Sequence, residues 1–157
     1  MPLTFKHGDA TRPESAGHKI IAHICNDAGG WGAGFVLAIS KRWPQAEADY
    51  RAWYRDRAAN DFALGAIRLV RVSEDVSVAN MIGQHGIRRA GSVPPIRYEA
   101  VEQCLRALAE QALPVHASVH MPRIGCGLAG GSWERIEPLV RRALVDPGIY
   151  VTVYDFP

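Results

Sequence analysis

Two glycine-rich segments of this chain have the composition of loops that bind anions. The segment Met121–Trp133 reads MPRIGCGLAGGSW, and the segment Asn26–Phe35 reads NDAGGWGAGF. Each lies between a strand-like run and a helix-like run. Glycine has no Cβ, so backbone N–H groups can turn toward a ligand, and the start of the next helix adds unpaired donors and partial positive charge. Such loops most often bind phosphate. The presence of two such loops indicates a ligand with two phosphates, or with a phosphate and a sugar, held between them. The alternative is that both loops are only tight turns.

The later segment also contains the spacing G-x-G-x-x-G, at Gly125, Gly127 and Gly130. This spacing is typical of dinucleotide-binding proteins, where it opens the first βαβ unit. Here it falls in the last third of the chain. The acidic residue expected about 20 positions later, at the end of the next strand, is missing, because Asp146 lies in a turn. A nicotinamide or flavin dehydrogenase is therefore disfavoured.

The glycine segments are expected to be positioned by alternating strands and helices. Hydrophobic periodicity, a proline at a first helical turn (Pro44) and an N-cap serine (Ser132) define the helices. The predicted strands are Leu3–Lys6, Lys19–Ile24, Ala66–Val72, Val76–Ile82, Ser118–Met121 and Ile149–Tyr154. The predicted helices are Ala33–Arg42, Pro44–Arg57, Arg97–Gln111 and Ser132–Leu144. This order predicts an α/β sandwich with a largely parallel or mixed sheet. Both glycine segments would then emerge at the carboxyl ends of strands, where ligands bind.

Composition fits one domain over residues 1–157, with 48% hydrophobic and 22% charged residues. The net charge of +2 gives no support for broad nucleic-acid or membrane binding. No apolar run approaches the roughly 20 residues that span a bilayer, and no secretory signal is recognisable. The three cysteines, Cys25, Cys104 and Cys126, have neither disulfide nor zinc-ligand spacing, which predicts a reducing cytoplasm and no metal site. They are expected as small buried thiols rather than nucleophiles.

Four motifs resemble the macrodomain family. They are GDAT at Gly8–Thr11, the strand end His23–Asn26, GGWGAGF at Gly29–Phe35 and MPRIGCGL at Met121–Leu128. The likeness covers nearly the whole chain and is closest to the branch that contains the human terminal ADP-ribose glycohydrolase and its bacterial relatives. It implies a three-layer α/β/α sandwich with a mixed central sheet. It also implies binding of ADP-ribose, which many members release from modified proteins or nucleic acid, and it implies no cofactor.

The resemblance assigns parts of ADP-ribose to particular residues. The diphosphate would lie between the two glycine loops, Asp9 would contact the adenine amino group, and Tyr154, or alternatively Phe156, would stack on the adenine. Asn26 and Trp31 would lie near the distal ribose. Asp9 and Asn26 could instead stabilise turns, and Trp31 could cover the core. The complete set of expected ligand-binding residues is Asp9, Ala10, His23, Asn26, Trp31, Gly32, Ala33, Gly34, Pro122, Ile124, Gly125, Cys126, Gly127, Leu128 and Tyr154.

The catalytic pair of the resembled branch is missing. That branch uses a lysine nucleophile and an aspartate, but their positions here align with Gln84 and Ala129. Neither residue supports lysyl covalent catalysis. The sequence therefore predicts either a water positioned by the loops and the substrate diphosphate, or a base elsewhere. Asp27, Gln84 and His85 are the candidate catalytic residues. His23 is a further candidate base, although its apolar surroundings favour a core role.

Three functions fit this prediction. The first is hydrolysis of ADP-ribose from glutamate and aspartate side chains of modified proteins. The second is binding of ADP-ribose without turnover, and the third is removal of phosphate from ADP-ribose 1″-phosphate. ADP-ribose linked to nucleic acid has little support in the sequence. Arg88, Arg89 and Arg97 could contact phosphate or an acidic protein substrate, or could simply face solvent.

Overall fold

The computed structural model describes residues 3–156 and contains a six-stranded sheet with four α-helices. The strands are β1 (Leu3–His7), β2 (Lys19–Asn26), β3 (Ile67–Arg71), β4 (Val76–Gln84), β5 (Ser118–Met121) and β6 (Val151–Asp155). The helices are α1 (Phe35–Arg42), α2 (Pro44–Arg55), α3 (Tyr98–Ala112) and α4 (Trp133–Val140). No helix among these residues has the length and hydropathy needed to cross a bilayer.

The sheet is mixed, as the sequence predicts, with strand order β1-β6-β5-β2-β4-β3. All neighbouring strands pair in parallel except β3 and β4. The exception follows from the short connection at residues 72–75, where the N–H groups of Val72 and Ser73 both donate to the Val76 carbonyl. A connection of this length allows only an antiparallel hairpin.

Hydrophobic side chains cover both faces of the sheet and create three layers. On β2, Ile20 and Ala22 belong to the core cluster that contains residues of α3 and α4. Ile21 and Cys25 belong to the second cluster, with residues of α1 and α2. This alternation places helices on opposite faces of a buried strand. The predicted α/β/α sandwich is therefore confirmed.

Element boundaries differ from the predicted ones where the backbone geometry changes. Helix α1 begins at Phe35 rather than Ala33, because Gly34 has φ +85°. Helix α4 ends at Val140 and continues as one π-helical turn to Val145. It contains Pro138, which has no N–H to continue the hydrogen-bond pattern. Ser132 occupies the predicted N-cap position, but its hydroxyl makes no capping hydrogen bond.

The central strands also extend beyond their predicted ends. Strand β2 continues to Asn26 and β4 continues to Gln84. These two residues pair with each other in the sheet. The extension places the residues that follow them, Asp27 and His85, side by side at the same edge.

Candidate active site

A cleft of about 400 Å³ opens where the parallel strands end, between the two glycine loops. This is the expected place for a ligand site in an α/β sheet. The loop after β2 contributes one wall and the loop after β5 contributes the other. The cleft is lined by His23, Ile24, Ala33, Gly34, Phe35, Val36, Gln84, Pro122, Arg123, Ile124, Gly125, Gly127, Leu128 and Ala129.

The two glycine loops present unpaired backbone donors. Within residues 3–156, the N–H groups of Gly32, Ala33 and Gly34 donate to no protein acceptor, and neither do those of Gly127 and Leu128. A Cβ built on Gly32 or Gly127 would meet no atom within 4 Å, so both positions face open space. Such N–H groups bind anionic oxygens without a side-chain cation.

A second cavity of about 360 Å³ continues from the first. The two cavities share Gly34, Phe35 and Pro122 as walls. The second one is further lined by the predicted adenine-contacting residues Asp9 and Tyr154. The two cavities together form a two-part site. We call the first the cleft and the second, after the group that the sequence predicts there, the adenine cavity.

Asp9 lines the adenine cavity and also organises its own turn. Its Oδ1 accepts hydrogen bonds from the backbone N–H of Thr11 at 2.8 Å and from the Thr11 hydroxyl at 2.7 Å. Its Oδ2 lies 3.8 Å from the guanidinium of Arg12. The structure therefore shows the turn role, and a contact from Oδ2 to adenine stays a prediction.

Tyr154 and Phe156 occupy different environments in the adenine cavity. Tyr154 is only 5% exposed, and its hydroxyl lies 2.8 Å from Nδ1 of the buried His120. Phe156 is 76% exposed. Because stacking requires an accessible ring face, Phe156 is the freer of the two rings, while Tyr154 forms part of the wall.

Asn26 holds the first glycine loop in shape. Its Oδ1 accepts from the N–H groups of Ala28 at 2.9 Å and Gly30 at 3.0 Å, and its Nδ2 donates to the Gly30 carbonyl. The Tyr50 hydroxyl donates to the Asn26 carbonyl at 2.6 Å. The side-chain amide is thus engaged by the loop, which is the Asx-turn alternative. A ribose contact from Asn26 stays a prediction.

Trp31 and His23 belong to the core rather than to an open binding surface. The Trp31 indole is 4% exposed, packs on Tyr50 and donates to the Ser40 hydroxyl, which matches the alternative in which it covers the core. A ribose contact from Trp31 stays a prediction. His23 contributes to the cleft floor but is 2% exposed, and its Nε2 donates to Asn80. Burial lowers the pKa of His23 to about 4, so it is neutral near pH 7.

An aspartate–histidine pair lies at the edge of the cleft. His85 Nδ1 donates to Asp27 Oδ2 at 2.7 Å, and the other carboxylate oxygen accepts from the Gly86 N–H at 2.8 Å. Gln84, the next residue toward β4, lines the cleft itself. Ala129 also lines the cleft, so an alanine occupies the position expected for the acid of the resembled branch. The structure thus brings the three candidate catalytic residues together.

The cysteines do not form a reactive site. Cys25 and Cys104 are buried, and burial raises the pKa of both thiols. Cys126 is half-buried, its pKa is also raised by burial, and its thiol contacts the Ile124 carbonyl. A cysteine nucleophile needs a lowered pKa, so these thiols match the expected structural role. The cytoplasmic location inferred from them stays a prediction.

Phe35 and Arg123 were not among the predicted site residues. Phe35 lines both the cleft and the adenine cavity, and Arg123 lines the cleft and binds Asp155. Both fall inside the quoted motifs GGWGAGF and MPRIGCGL. Their positions within these motifs could therefore have indicated that both residues lie at the site.

Comparison with known proteins places these features in a family. No family model matches the chain. The solved structure of a macrodomain protein from Streptomyces coelicolor is 58% identical, with a TM-score of 0.89 and 98% of each chain covered. The chain belongs to the macrodomain family. A protein of unknown function from Bacteroides thetaiotaomicron is 53% identical to this macrodomain, with a TM-score of 0.94, covering 98% of this chain and 97% of that one.

Curated relatives of this macrodomain include proteins of two kinds. A chromodomain-helicase-DNA-binding protein 1-like from Mus musculus is 29% identical over 99% of this chain, which spans only 18% of that protein. An ADP-ribose 1″-phosphate phosphatase from Lodderomyces elongisporus is 26% identical, and the match covers 96% of this chain and 99% of the phosphatase. The expected family is thus confirmed, and the reaction has to be argued from the site.

Proposed function

We propose that this macrodomain binds ADP-ribose and hydrolyses it from modified glutamate and aspartate side chains. The observation that carries the proposal is the pair of unpaired N–H rows at Gly32–Gly34 and at Gly127–Leu128. Two rows of donors on opposite walls of one cleft suit a diphosphate, whose oxygens carry charge on both sides.

The size and shape of the site support the rest of this ligand. The cleft of about 400 Å³ and the adenine cavity of about 360 Å³ are contiguous and suit a nucleotide-sized ligand. With the diphosphate between the loops, the adenine lies toward Asp9 and Phe156. The distal ribose then lies toward Gln84, near the Asp27–His85 pair.

The hydrolysis proceeds by attack of water on the ester that joins ribose to a carboxyl group. The bond between the C1″ atom and the ester oxygen breaks, water supplies the hydroxyl on C1″, and the side chain leaves as a carboxylate. His85 accepts the proton released by the water, and Asp27 holds the imidazole in position. The glycine loops fix the diphosphate and hence the distal ribose.

Removal of phosphate from ADP-ribose 1″-phosphate is the second candidate. It is supported by the match to the Lodderomyces elongisporus phosphatase, which covers nearly the full length of both chains. The same loops would hold the diphosphate, and the same water would attack phosphorus instead of carbon. A reader without turnover would use the same binding residues.

One experiment separates the three functions. The protein is incubated in parallel with a protein mono-ADP-ribosylated on glutamate and with ADP-ribose 1″-phosphate, and ADP-ribose and inorganic phosphate are quantified. Calorimetry measures ADP-ribose binding in the same preparation. ADP-ribose released from the protein substrate supports the proposal. Phosphate release alone identifies the phosphatase, binding without turnover identifies a reader, and failure to bind ADP-ribose overturns all three.

A further inference from the structure

The loop of residues 85–97 lies against both glycine loops. A Cβ built on Gly30 would lie 2.8 Å from Ile87 Cδ1, so Ile87 rests on the first loop. A Cβ built on Gly130 would lie 3.5 Å from Arg89 Nη2 and 2.8 Å from Pro94, so these residues rest on the second loop. The segment therefore borders the mouth of the cleft, and whatever carries the ADP-ribose must pass beside it.

The charge at this mouth is one-sided. The chain contains no aspartate or glutamate from residue 76 to residue 98, nor from residue 111 to residue 133, although its net charge is only +2. These stretches include the 85–97 loop and the second glycine loop. Asp27, which contacts the start of this loop, already accepts hydrogen bonds from His85 and Gly86.

Two arginines remain available at the mouth. Arg97 donates three hydrogen bonds to the carbonyls of residues 94–96, and Arg123 is bound to Asp155. Arg88 and Arg89 are exposed, and Arg89 donates only to the Ser92 carbonyl among its described contacts. Exposed guanidinium groups without a carboxylate partner can bind an acidic group of another molecule.

Exposed aliphatic side chains accompany these cations. Ile87 is 55% exposed, Val93 is 50% exposed, and Leu128 on the second glycine loop is 69% exposed. The 85–97 segment contains no phenylalanine, tyrosine or tryptophan, and the imidazole of His85 is hydrogen-bonded to Asp27. Single-stranded nucleic acid is typically bound by aromatic stacking together with cations, whereas aliphatic and cationic groups together suit an acidic peptide with apolar side chains.

We propose that residues 87–93 and Leu128 dock an acidic segment of the modified protein, the stretch of chain that flanks the ADP-ribosylated carboxylate. This inference rests on the proposed function and names its substrate class. Arg88 and Arg89 contact carboxylates near the modified residue, and Ile87 and Leu128 contact apolar side chains of the same segment. Arg88 and Arg89 line neither the cleft nor the adenine cavity, so they select among substrates without changing affinity for the free ligand.

The test compares two peptides that carry ADP-ribose on the same glutamate. Aspartates flank that glutamate in one peptide, and serines flank it in the other. Dissociation constants are measured for both peptides and for free ADP-ribose at about 50 mM and 300 mM salt. If the protein hydrolyses the peptides, their binding is measured under single-turnover conditions. The proteins are the wild type, the double variant Arg88→Glu/Arg89→Glu, and the single variant Arg142→Glu at another exposed arginine as a control.

The wild type is expected to bind the acidic peptide about tenfold tighter than the neutral one at low salt, with the ratio falling at high salt. The double variant should lose or reverse this ratio and keep its affinity for free ADP-ribose, and Arg142→Glu should behave as wild type. Equal affinities of the wild type for both peptides, or a ratio that is unchanged in the double variant, would overturn the inference. Binding of free ADP-ribose in the same experiment would still support the proposed ligand. If no form binds ADP-ribose, the proposed function itself fails.

A third ligand tests the nucleic-acid alternative. A single-stranded oligonucleotide carrying ADP-ribose on a base is measured with the same proteins. Weaker binding than that of the acidic peptide is expected. Tighter binding that depends on Arg88 and Arg89 would show that these residues serve a nucleic-acid substrate and would overturn the peptide inference.

Discussion

Arg123 donates two hydrogen bonds to the carboxylate of Asp155, from Nε at 2.7 Å and from Nη2 at 3.1 Å. This pair joins the start of the second glycine loop to the end of β6. The pairing holds the pKa of Asp155 below its ordinary value, chiefly through the hydrogen bonds from Arg123. Because Tyr154 lies within β6 and Phe156 directly follows that strand, the pair fixes the second glycine loop relative to the adenine cavity.

Replacing Arg123 by lysine should therefore weaken ligand binding more than stability. Lysine keeps the charge but cannot make the two-point contact. The side chains of both partners are more than one-third exposed, so screening limits the stability loss to about 1 kcal/mol. We expect the ADP-ribose dissociation constant to rise about fivefold, measured by calorimetry. Arg106→Lys, which alters a comparable exposed pair with Glu102 on α3, should leave affinity unchanged.

Gly127→Val should abolish ADP-ribose binding without unfolding the protein. Gly127 lines the cleft, and a Cβ there meets no atom within 4 Å. Its φ is also outside the positive range that strains other residues. The valine side chain would occupy the space of the diphosphate, and Gly127→Ala should give an intermediate loss. Calorimetry measures affinity and thermal unfolding measures integrity, so a folded valine variant with wild-type affinity would show that the site lies elsewhere.

Much of the site could be predicted from the sequence because its key contacts are local. Glycine loops between strands and helices determine where backbone N–H groups point, and both loops lie where their spacing predicts. The contact between Asp27 and His85 could be suggested but not established. It depends on β2 and β4 being neighbours in register, and the strand order of a sheet is a property of the whole fold.

The position of Trp31 shows why side-chain roles were harder to predict. A tryptophan within a glycine loop can face either the ligand or the core. The choice is made by Ser40 and Tyr50, which contact the indole from α1 and α2. Local sequence does not reveal such packing, because both partners approach only after the helices have docked.

Ala129→Asp should not create the catalytic mechanism of the resembled branch. The side chain at this position is 6% exposed, and Gln84 rather than a lysine lines the same cleft. A carboxylate placed there has no lysine beside it, and its burial should lower the free energy of unfolding by about 1–3 kcal/mol. We expect no increase in ADP-ribose release and a lower midpoint in urea unfolding. A large gain in turnover would reveal a hidden general acid or nucleophile.

His85→Ala should separate catalysis from binding. Loss of the proton acceptor is expected to lower kcat about 100-fold, while affinity for free ADP-ribose changes less than twofold because the glycine loops are intact. Single-turnover release from glutamate-modified protein measures the first quantity, and calorimetry measures the second. His18→Ala serves as the control, because His18 is exposed and directly precedes β2, at the opposite end of that strand from the cleft. An unchanged kcat in His85→Ala would mean that the glycine loops and the substrate diphosphate alone position the attacking water.

Two buried histidines should make stability fall as the pH is lowered below neutrality. The pKa values of His23 and His120 are each lowered from 6.5 to about 4, in both cases mainly by burial. Between these values the unfolded chain binds more protons than the native state, so the free energy of unfolding decreases as pH falls from about 6.5 toward 4. Each histidine contributes up to about 3.5 kcal/mol to this decrease, at about 1.4 kcal/mol per unit of pKa. Urea unfolding at pH 7.5, 6.5 and 5.5 should show this decline in the wild type. In His23→Gln and His120→Gln the free energy of unfolding should decrease less with falling pH, whatever the absolute stability of these variants. If the free energy of unfolding changes equally with pH in all three proteins, these imidazoles do not control the acid sensitivity of the fold.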